Sequence, residues 1–265
     1  MEMKITIIGG GNMGGSIARG VVAAGVLAAE DVTVSDLSDA VHDGFKAFNP
    51  AIRLSKDNAE AVLGADIVFV AVKPWLVETV MGQIRDVLDA TRQMVVSIAA
   101  GVSFEALEGY LMKPSQPAPV LFRVIPNTAI SLGESVTFVA QHGASDDQVR
   151  TVGGILSRLG EVILVPEEKM MAGTALASCG IAYALQYINA SMQGGEELGF
   201  TQDESLRIVM QTVRGALAML AANHTLPQAE IDKVTTPGGI TLKGLAAMKE
   251  AGFAEAVIAG LKASR

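Results

Sequence analysis

The sequence predicts an α/β fold, in which a mainly parallel β-sheet with helices on both faces is followed by an all-helical region. Over residues 1–165, near-continuous apolar runs, typical of strands buried on both faces, alternate with helical periods. Over residues 166–265 only helical periodicity follows. A glycine-rich turn also joins the first apolar run to the first helical period. We therefore expect two domains, 1–165 and 166–265.

The first apolar run leads directly into a glycine pattern. Ile5–Ile8 predicts a strand, Gly9, Gly11 and Gly14 follow in the spacing G-x-G-x-x-G, and apolar residues then recur at helical intervals. Gly9 permits a sharp turn, Gly11 lets the backbone approach a pyrophosphate, and Gly14 lets the helix pack closely on the strand. The N-terminus of that helix favours the phosphates. This context predicts a Rossmann-type dinucleotide site, with a ligand-free glycine turn as the alternative.

A second predicted strand, Val32–Val34, ends close to an acidic residue. Asp36 stands about twenty residues beyond the glycines, where a carboxylate binds the ribose diol of a dinucleotide. Since no arginine lies near it in the sequence to pair a 2′-phosphate, Asp36 favours NADH. Ser35 and Ser38 can donate to a phosphate if Asp36 turns away, so NADPH and NADH both stay open.

Further apolar runs continue the sheet, with helical periods between them. The predicted strands are 66–71, 94–98, 120–124, 136–139 and 162–165. The helical periods include 58–63, 76–88 and 146–159. Pro166, followed by two glutamates, predicts the start of the helical domain, and the loop 235–239 interrupts its helices. Ligands of such a sheet bind at the carboxyl ends of its strands.

Composition and charge exclude several classes of function. Half of the 265 residues are apolar, which is enough for a substantial core. The net charge of −8, without clustered basic residues, argues against nucleic-acid binding. The single cysteine, Cys179, excludes an internal disulfide and a cysteine-based metal site, and it fits a reducing compartment. We expect a cytoplasmic protein with no metal.

The stretch Met170–Gly195 contains no charged residue and is long enough to span a bilayer. Polar side chains and glycines interrupt it, which makes insertion into lipid costly. An uncharged helix of this kind is typical of one buried on all sides, inside a protein or an oligomer. We expect no membrane span, and a homodimer or a higher multiple of dimers.

Small or polar residues follow three of the predicted strands. They are Ala71, Val72, Lys73 and Pro74 after one strand, Ala99, Ala100 and Gly101 after the next, and Asn127 after a third. Because the carboxyl ends of parallel strands meet at one edge of the sheet, small residues there let a nicotinamide and its ribose lie against the backbone. Taken singly, each segment also fits an ordinary strand-to-loop connection.

The loop Thr236–Thr241 is a second candidate site. Gly238 and Gly239 can turn successive N–H groups inward, and the helix that begins after them favours an anion at its N-terminus. Thr236 and Thr241 add hydroxyl groups. The pattern predicts a pocket for a small carboxylate, with a helix–helix connector capped by threonine as the alternative.

Together these motifs resemble the Δ1-pyrroline-5-carboxylate reductase family over nearly the whole chain. Gly9–Gly14, with Asn12 and Met13, is similar to the family's G-x-G-N-M-G opening. Segments 71–74, 97–101 and 126–128 are similar to its cofactor loops, and Asn58 stands where the family contacts the adenosine ribose. Residues 236–241 are similar to the motif that binds the substrate carboxylate and ring nitrogen. The segment 177–181 departs from the family's S-G-S-G-P pattern.

The resemblance implies NADPH- or NADH-dependent reduction of a cyclic imino acid to L-proline. It implies that Thr236, Gly238, Gly239 and Ile240 bind the substrate, while Thr241 is the catalytic residue that holds the ring nitrogen. Since the imine nitrogen is basic enough to be partly protonated before reaction, the protein orients the ring and needs no strong acid. The absence of a catalytic histidine or carboxylate motif is then expected.

Two other functions stay open. A β-hydroxyacid dehydrogenase shares both domains, but that family needs a helical lysine with an asparagine four residues on. Lys169 is followed at that spacing by Gly173, and Lys243 by Ala247. A non-catalytic dinucleotide-sensing module would keep the first domain and use its helices for partners; the threonine-flanked loop argues against it.

Overall fold

The computed structural model describes residues 3–114 and 116–265, so Met1, Glu2 and Ser115 lie outside the described residues. The strands are β1 (Ile5–Ile8), β2 (Val32–Ser35), β3 (Arg53–Ser55), β4 (Ile67–Val70), β5 (Met94–Ser97), β6 (Val120–Ile125), β7 (Ser135–His142) and β8 (Gly160–Leu164). The α-helices before β8 are α1 (Asn12–Ala23), α2 (Asp39–Phe48), α3 (Asn58–Ala61), α4 (Val77–Ile84), α5 (Phe104–Leu111) and α6 (Asp146–Leu156). Those after it are α7 (Met170–Gly173), α8 (Gly180–Glu197), α9 (Gln202–Asn223), α10 (Pro227–Lys233), α11 (Ile240–Glu250) and α12 (Phe253–Ala263).

The strands form one sheet in the order β3-β2-β1-β4-β5-β6-β7-β8. β1 to β6 run parallel, with Ile5 opposite both Val32 of β2 and Ile67 of β4. β7 runs antiparallel to β6, and β8 runs parallel to β7. The predicted mainly parallel sheet is confirmed. The antiparallel pair was not predicted, because a buried apolar strand has the same composition in either direction.

The position of β1 defines the crevice in this sheet. β1 lies between β2 and β4, so the chain builds the sheet first to one side of β1 and then to the other. Loops that leave the carboxyl ends of β1 and β4 therefore diverge, and a crevice opens between them. Gly9 begins one of these loops and Ala71 begins the other.

Apolar side chains pack on both faces of the sheet, as predicted. One cluster contains Ile7 of β1 with Ile17 of α1 and Phe45 of α2. The other contains Val70 of β4 with Met81 of α4. Burial on both faces explains the near-continuous apolar runs of the central strands.

The structure also contains elements that the apolar pattern did not single out, namely α2, β3 and α5. β3 has only three residues, and it forms the edge of the sheet. α2 buries only His42 and Phe45, although Val41, Phe45 and Phe48 recur at helical spacing in its sequence. The predicted helical periods 58–63, 76–88 and 146–159 correspond to the shorter helices α3, α4 and α6.

The chain divides into two compact units, one ending at Ser178 and the other running from Cys179 to Arg265. The sheet itself ends at Leu164, next to the predicted domain boundary. α7 belongs to the first unit because Met170 is fully buried in the same apolar cluster as β4 and α5. The predicted domains 1–165 and 166–265 thus differ from the compact units by this one helical segment and stay a prediction.

The second unit consists of α8 to α12 and the turns between them. α8 and α9 approach closely at Gly195, where an added Cβ would lie 2.5 Å from Oγ of Ser205. No apolar side chain between Cys179 and Arg265 is buried, and the buried side chains there are Ser205 and Glu230.

Within the described residues, one helical stretch, Glu167–Glu197, is long and apolar enough to cross a membrane. It is so by length and composition alone, and a single helix of this kind is weak evidence for a span. The predicted absence of a membrane span therefore stays a prediction.

Candidate active site

The glycine turn after β1 has the geometry that its sequence predicts. Gly9 has φ of +96°, and a Cβ there would lie 2.7 Å from the carbonyl oxygen of Ala71. A Cβ on Gly14 would lie 2.0 Å from the carbonyl oxygen of Gly9. By contrast, the space around Gly11 is open, with no atom within 4 Å of an added Cβ. Gly9 and Gly14 thus let β1, α1 and β4 pack closely, and Gly11 leaves backbone accessible to a ligand.

The N-terminus of α1 is suited to an anion. Gly11 caps the helix without a side chain, so no side-chain oxygen accepts from the first N–H groups. The first turn of α1, beginning with Asn12 and Met13, also contains no acidic residue. Free N–H groups and the positive end of the helix dipole favour a phosphate at this position.

Asp36 follows β2 and is fixed by two backbone groups. Its Oδ2 accepts from the N–H of Gly10 at 2.8 Å, and its Oδ1 accepts from the N–H of Ser38 at 2.9 Å. Each carboxylate oxygen can accept a second hydrogen bond, so hydroxyl donors can still be bound. The glycine turn and the end of β2 are thereby held together.

A cavity of about 600 Å³ lies between the end of β2 and α4. The Oγ of buried Ser35 donates to Oδ1 of Asn58 at 2.7 Å, and Nδ2 of Asn58 donates to Oε1 of Gln83 at 2.6 Å. Asp36, Lys56 and Asn58 line this cavity together with apolar side chains. An adenosine has an apolar ring face and polar ribose hydroxyls, so this mixture of polar and apolar groups is suited to bind it.

A second cavity, of about 830 Å³, shares Gly9, Asp36, Val72 and Leu76 with the first and extends towards β5 and β6. Its lining includes these predicted cofactor residues: Gly9, Gly11, Asn12, Met13, Asp36, Ala71, Val72, Lys73, Pro74, Ala99 and Ala100. The ends of β1, β2, β4 and β5 are thus brought together around adjoining cavities, as expected for the carboxyl edge of a parallel sheet.

Three predicted cofactor residues do not line either cavity. Gly14 packs under the glycine turn, and Gly101, with φ of +80°, is exposed beyond Ala100. Asn127 is only 4% exposed, and its Oδ1 accepts from the N–H of Ala129 at 3.0 Å. Its neighbour Thr128 lines the second cavity. Asn127 therefore caps the helical turn that follows β6.

Two basic side chains that line these cavities, Arg19 and Lys56, were not predicted from the sequence. Arg19 of α1 lines the second cavity, with Cζ 4.7 Å from the centre of the Phe45 ring. Lys56 lines the first cavity from the loop between β3 and α3. Arg19 and Lys56 are distant from Asp36 along the chain, and the fold brings them to the cavities that Asp36 lines. Recognition of β3 would have found Lys56, because that residue directly follows the strand.

In the second predicted site, residues 236–239 lie between α10 and α11, and Ile240 and Thr241 begin α11, as the sequence predicts. Gly238 has φ of +76°, and the N–H of Gly239 donates to the carbonyl oxygen of Thr236 at 2.9 Å. Gly239 caps α11 without a side chain, so the N-terminus of this eleven-residue helix is open. Thr236, Ile240 and Thr241 are all exposed. The loop can present both backbone N–H groups and hydroxyls to a small anion.

No group of three or more histidine, cysteine, aspartate or glutamate side chains is arranged to hold a metal ion within the described part of the chain.

Comparisons with known proteins agree with this arrangement. Residues 4–101 match the family model "NADP oxidoreductase coenzyme F420-dependent", and residues 167–265 match "Pyrroline-5-carboxylate reductase dimerisation". The chain is 33% identical to pyrroline-5-carboxylate reductase 1 of Dictyostelium discoideum over 98% of its length, and spans 48% of that relative. It is 31% identical to the pyrroline-5-carboxylate reductase of Synechocystis sp., and the alignment covers 100% of this chain and 96% of that one.

A solved structure has the same fold. The pyrroline-5-carboxylate reductase from Coxiella burnetii matches with a TM-score of 0.90 at 30% identity, over 100% of this chain and 96% of that chain. The predicted family and the predicted fold are confirmed. Since the Synechocystis relative and the Coxiella structure match over nearly their full lengths, the chain belongs to the pyrroline-5-carboxylate reductase family.

Proposed function

We propose that this chain reduces Δ1-pyrroline-5-carboxylate to L-proline with NADPH or NADH. Family membership makes it an NAD(P)H-dependent oxidoreductase of proline biosynthesis. The observation that carries the proposal is the pair of adjoining cavities at the switch point of the sheet, which share Gly9, Asp36, Val72 and Leu76. This is where doubly wound sheets bind dinucleotides.

The glycine turn holds the pyrophosphate of the cofactor. Gly11, Asn12 and Met13 offer open backbone at the start of α1, while Gly9 and Gly14 let that backbone approach. The residues fit the group, because the space over Gly11 is open and no side chain blocks the helix N-terminus.

The two ends of the cofactor lie in the two cavities. Ser35, Asp36 and Asn58 bind the adenosine in the smaller one. The nicotinamide end lies in the larger one, against Ala71–Pro74, Ala99 and Ala100. Gly101 and Asn127 line neither cavity, and they adjoin this end through their chain neighbours Ala100 and Thr128. Small side chains there let the ring and its ribose contact backbone. When bound, the reduced nicotinamide supplies a hydride.

The loop between α10 and α11 binds the substrate. The N–H groups of Gly238, Gly239 and Ile240 hold its carboxylate, with the hydroxyl of Thr236 beside them. Thr241 accepts a hydrogen bond from the protonated ring nitrogen and so fixes which face of the C=N carbon is presented. The imine takes its proton from water before reaction, and the protein's contribution is orientation.

The proposal also covers the roles of the two domains, the assembly and the location of the protein. Residues 1–165 form the dinucleotide domain, and residues 166–265 form the substrate-binding and dimerisation domain. The match to the dimerisation model covers the uncharged stretch Met170–Gly195, which supports burial of that stretch in a homodimer or a multiple of dimers. We propose a cytoplasmic enzyme that neither spans a membrane nor binds nucleic acid or metal.

The test is the absorbance of the reduced coenzyme. The purified protein should oxidise NADH or NADPH when Δ1-pyrroline-5-carboxylate is added, and not without it. Turnover of a 2-hydroxy or 3-hydroxy acid with none of the imino acid would favour the β-hydroxyacid dehydrogenase. Coenzyme binding with no turnover of either class would favour the dinucleotide sensor.

A further inference from the structure

The smaller cavity contains a cation with an acidic partner outside it. Lys56 lines the cavity, and its Nζ lies 2.7 Å from Oδ1 of Asp39, the first residue of α2. Asp39 itself is not part of the cavity lining. The hydrogen bond from Lys56 lowers the pKa of Asp39 below its ordinary value. Both side chains are at least half exposed.

The other acids at this cavity have different partners. Both oxygens of Asp36 accept from backbone N–H groups. Oδ1 of Asp57 accepts from the N–H groups of Ala59 and Glu60, and so caps α3. Within the described residues, the ion pair of Lys56 is with Asp39. The ammonium group of this lysine is therefore already neutralised by an acid on α2.

We propose that the Asp39–Lys56 ion pair sets the coenzyme preference, because Asp39 holds the ammonium group that would otherwise bind a phosphate on the adenosine ribose. The chain then favours the coenzyme without that phosphate. This inference rests on the proposed function, which puts the adenosine in this cavity. Coenzyme selectivity would then depend on Lys56, in the loop after β3, and on Asp39 of α2, in addition to Asp36 at the end of β2.

The electrostatics of the cavity support this assignment. A ribose phosphate would meet the carboxylate of Asp36 and compete with Asp39 for Lys56, and phosphates bind where cations are available to them. An exposed ion pair is weak, so removal of Asp39 releases Lys56 at little cost to stability. With Lys56 released, we expect about five- to tenfold tighter binding of a 2′-phosphorylated nucleotide.

Calorimetric titration with 5′-AMP and with adenosine 2′,5′-bisphosphate tests this, since the two differ only in the ribose phosphate. The variants are Asp39→Asn, Lys56→Gln and the double variant. The matched control is Asp43→Asn, which removes an acid of the same helix that pairs with Lys46 at 3.3 Å and lines neither cavity. Neither ligand contains a nicotinamide, so the result does not depend on turnover.

The wild type should bind the bisphosphate no more tightly than 5′-AMP. Asp39→Asn should gain about five- to tenfold for the bisphosphate and change 5′-AMP binding less than twofold, and Lys56→Gln should remove that gain. A gain that persists in the double variant, or that Asp43→Asn reproduces, overturns the inference. So does a wild type that already prefers the bisphosphate through Lys56. A wild type that binds neither nucleotide overturns the cofactor site, and this inference with it.

Discussion

The two compact units of this chain bury very different side chains. The unit that ends at Ser178 has an apolar cluster on each face of its sheet. In the unit Cys179–Arg265 no apolar side chain is buried, and exposed leucines such as Leu185 (58%) and Leu217 (63%) recur along its helices. A stable single chain seldom leaves so much apolar surface in water.

The first unit therefore has an apolar core of its own, and the helical unit does not. Burial of apolar surface is the main stabilising contribution in folding, and the first unit obtains it within one chain. We expect the helical unit to obtain it from a second copy, consistent with its match to the dimerisation model. The stability of this unit is then inseparable from protein concentration.

The largest effect, on the assembly of the protein, is expected from a negative charge introduced into the apolar surface of the helical unit. Leu185→Glu on α8 places a carboxylate on a surface that we expect to be dry in the dimer, at a cost of about 3 kcal/mol or more. Leu63→Glu is the matched control, since Leu63 is similarly exposed (63%) but belongs to the first unit. Sedimentation velocity should show dissociation for Leu185→Glu only. An intact dimer with Leu185→Glu would mean that α8 faces water.

Within the first unit, substitutions at two glycines should have separate effects on stability and on coenzyme binding. Gly14→Ala brings a Cβ to 2.0 Å from the carbonyl oxygen of Gly9, which we expect to cost about 3 kcal/mol of unfolding free energy. Gly11→Ala meets no atom within 4 Å, so stability should stay near wild type while coenzyme affinity falls. Thermal unfolding and coenzyme titration check both. Equal loss of stability in the two variants would show that Gly11 is also a packing residue.

The sequence predicted the parts of the molecule whose signals are local. β1, the glycine turn and α1 follow one another within a few residues. The spacing of Gly9, Gly11 and Gly14 therefore predicts the structural role of each glycine. Lys56 and Arg19 were missed because the fold, and no short motif, brings them to the cavities. The turn role of Asn127 was also missed, since its acceptor role towards Ala129 depends on the path of the chain after β6.

Thr241 tests the substrate loop of the helical unit. If its hydroxyl orients the ring nitrogen, Thr241→Ala should lower kcat/KM by roughly ten- to a hundredfold, since a hydrogen bond and the alignment are both lost. Thr241→Ser keeps the hydroxyl and should retain most activity. Coenzyme affinity should be unchanged in both variants. Full activity in Thr241→Ala would reduce the loop to a connector.

Glu230 is one of the two buried side chains of the helical unit, so it tests whether polar contacts stabilise that unit. Lys233, together with Thr225 and Asn223, lowers its pKa from 4.5 to about 2. Since the pKa is depressed by folding, the stabilisation is complete above pH 4.5 and is lost as the pH falls towards 2. Glu230→Gln should make denaturation midpoints less dependent on pH in this range. Glu250→Gln, at the exposed end of α11, should leave that dependence near wild type.

The smallest effect is expected at the end of α9, where a substitution should raise stability. His224 caps this helix with φ of 50°, and among the described residues other than glycine it alone has a positive φ. A side chain costs about 1–2 kcal/mol in this conformation, and glycine gives back part of that through its flexible unfolded state. His224→Gly should therefore stabilise the protein by about 0.5–1 kcal/mol. Ala222→Gly, exposed in the last turn of the same helix, should destabilise it by a similar amount. Thermal unfolding at one fixed protein concentration compares the two, and a loss of stability in both would mean that the His224 side chain makes contacts in the dimer that outweigh its backbone strain.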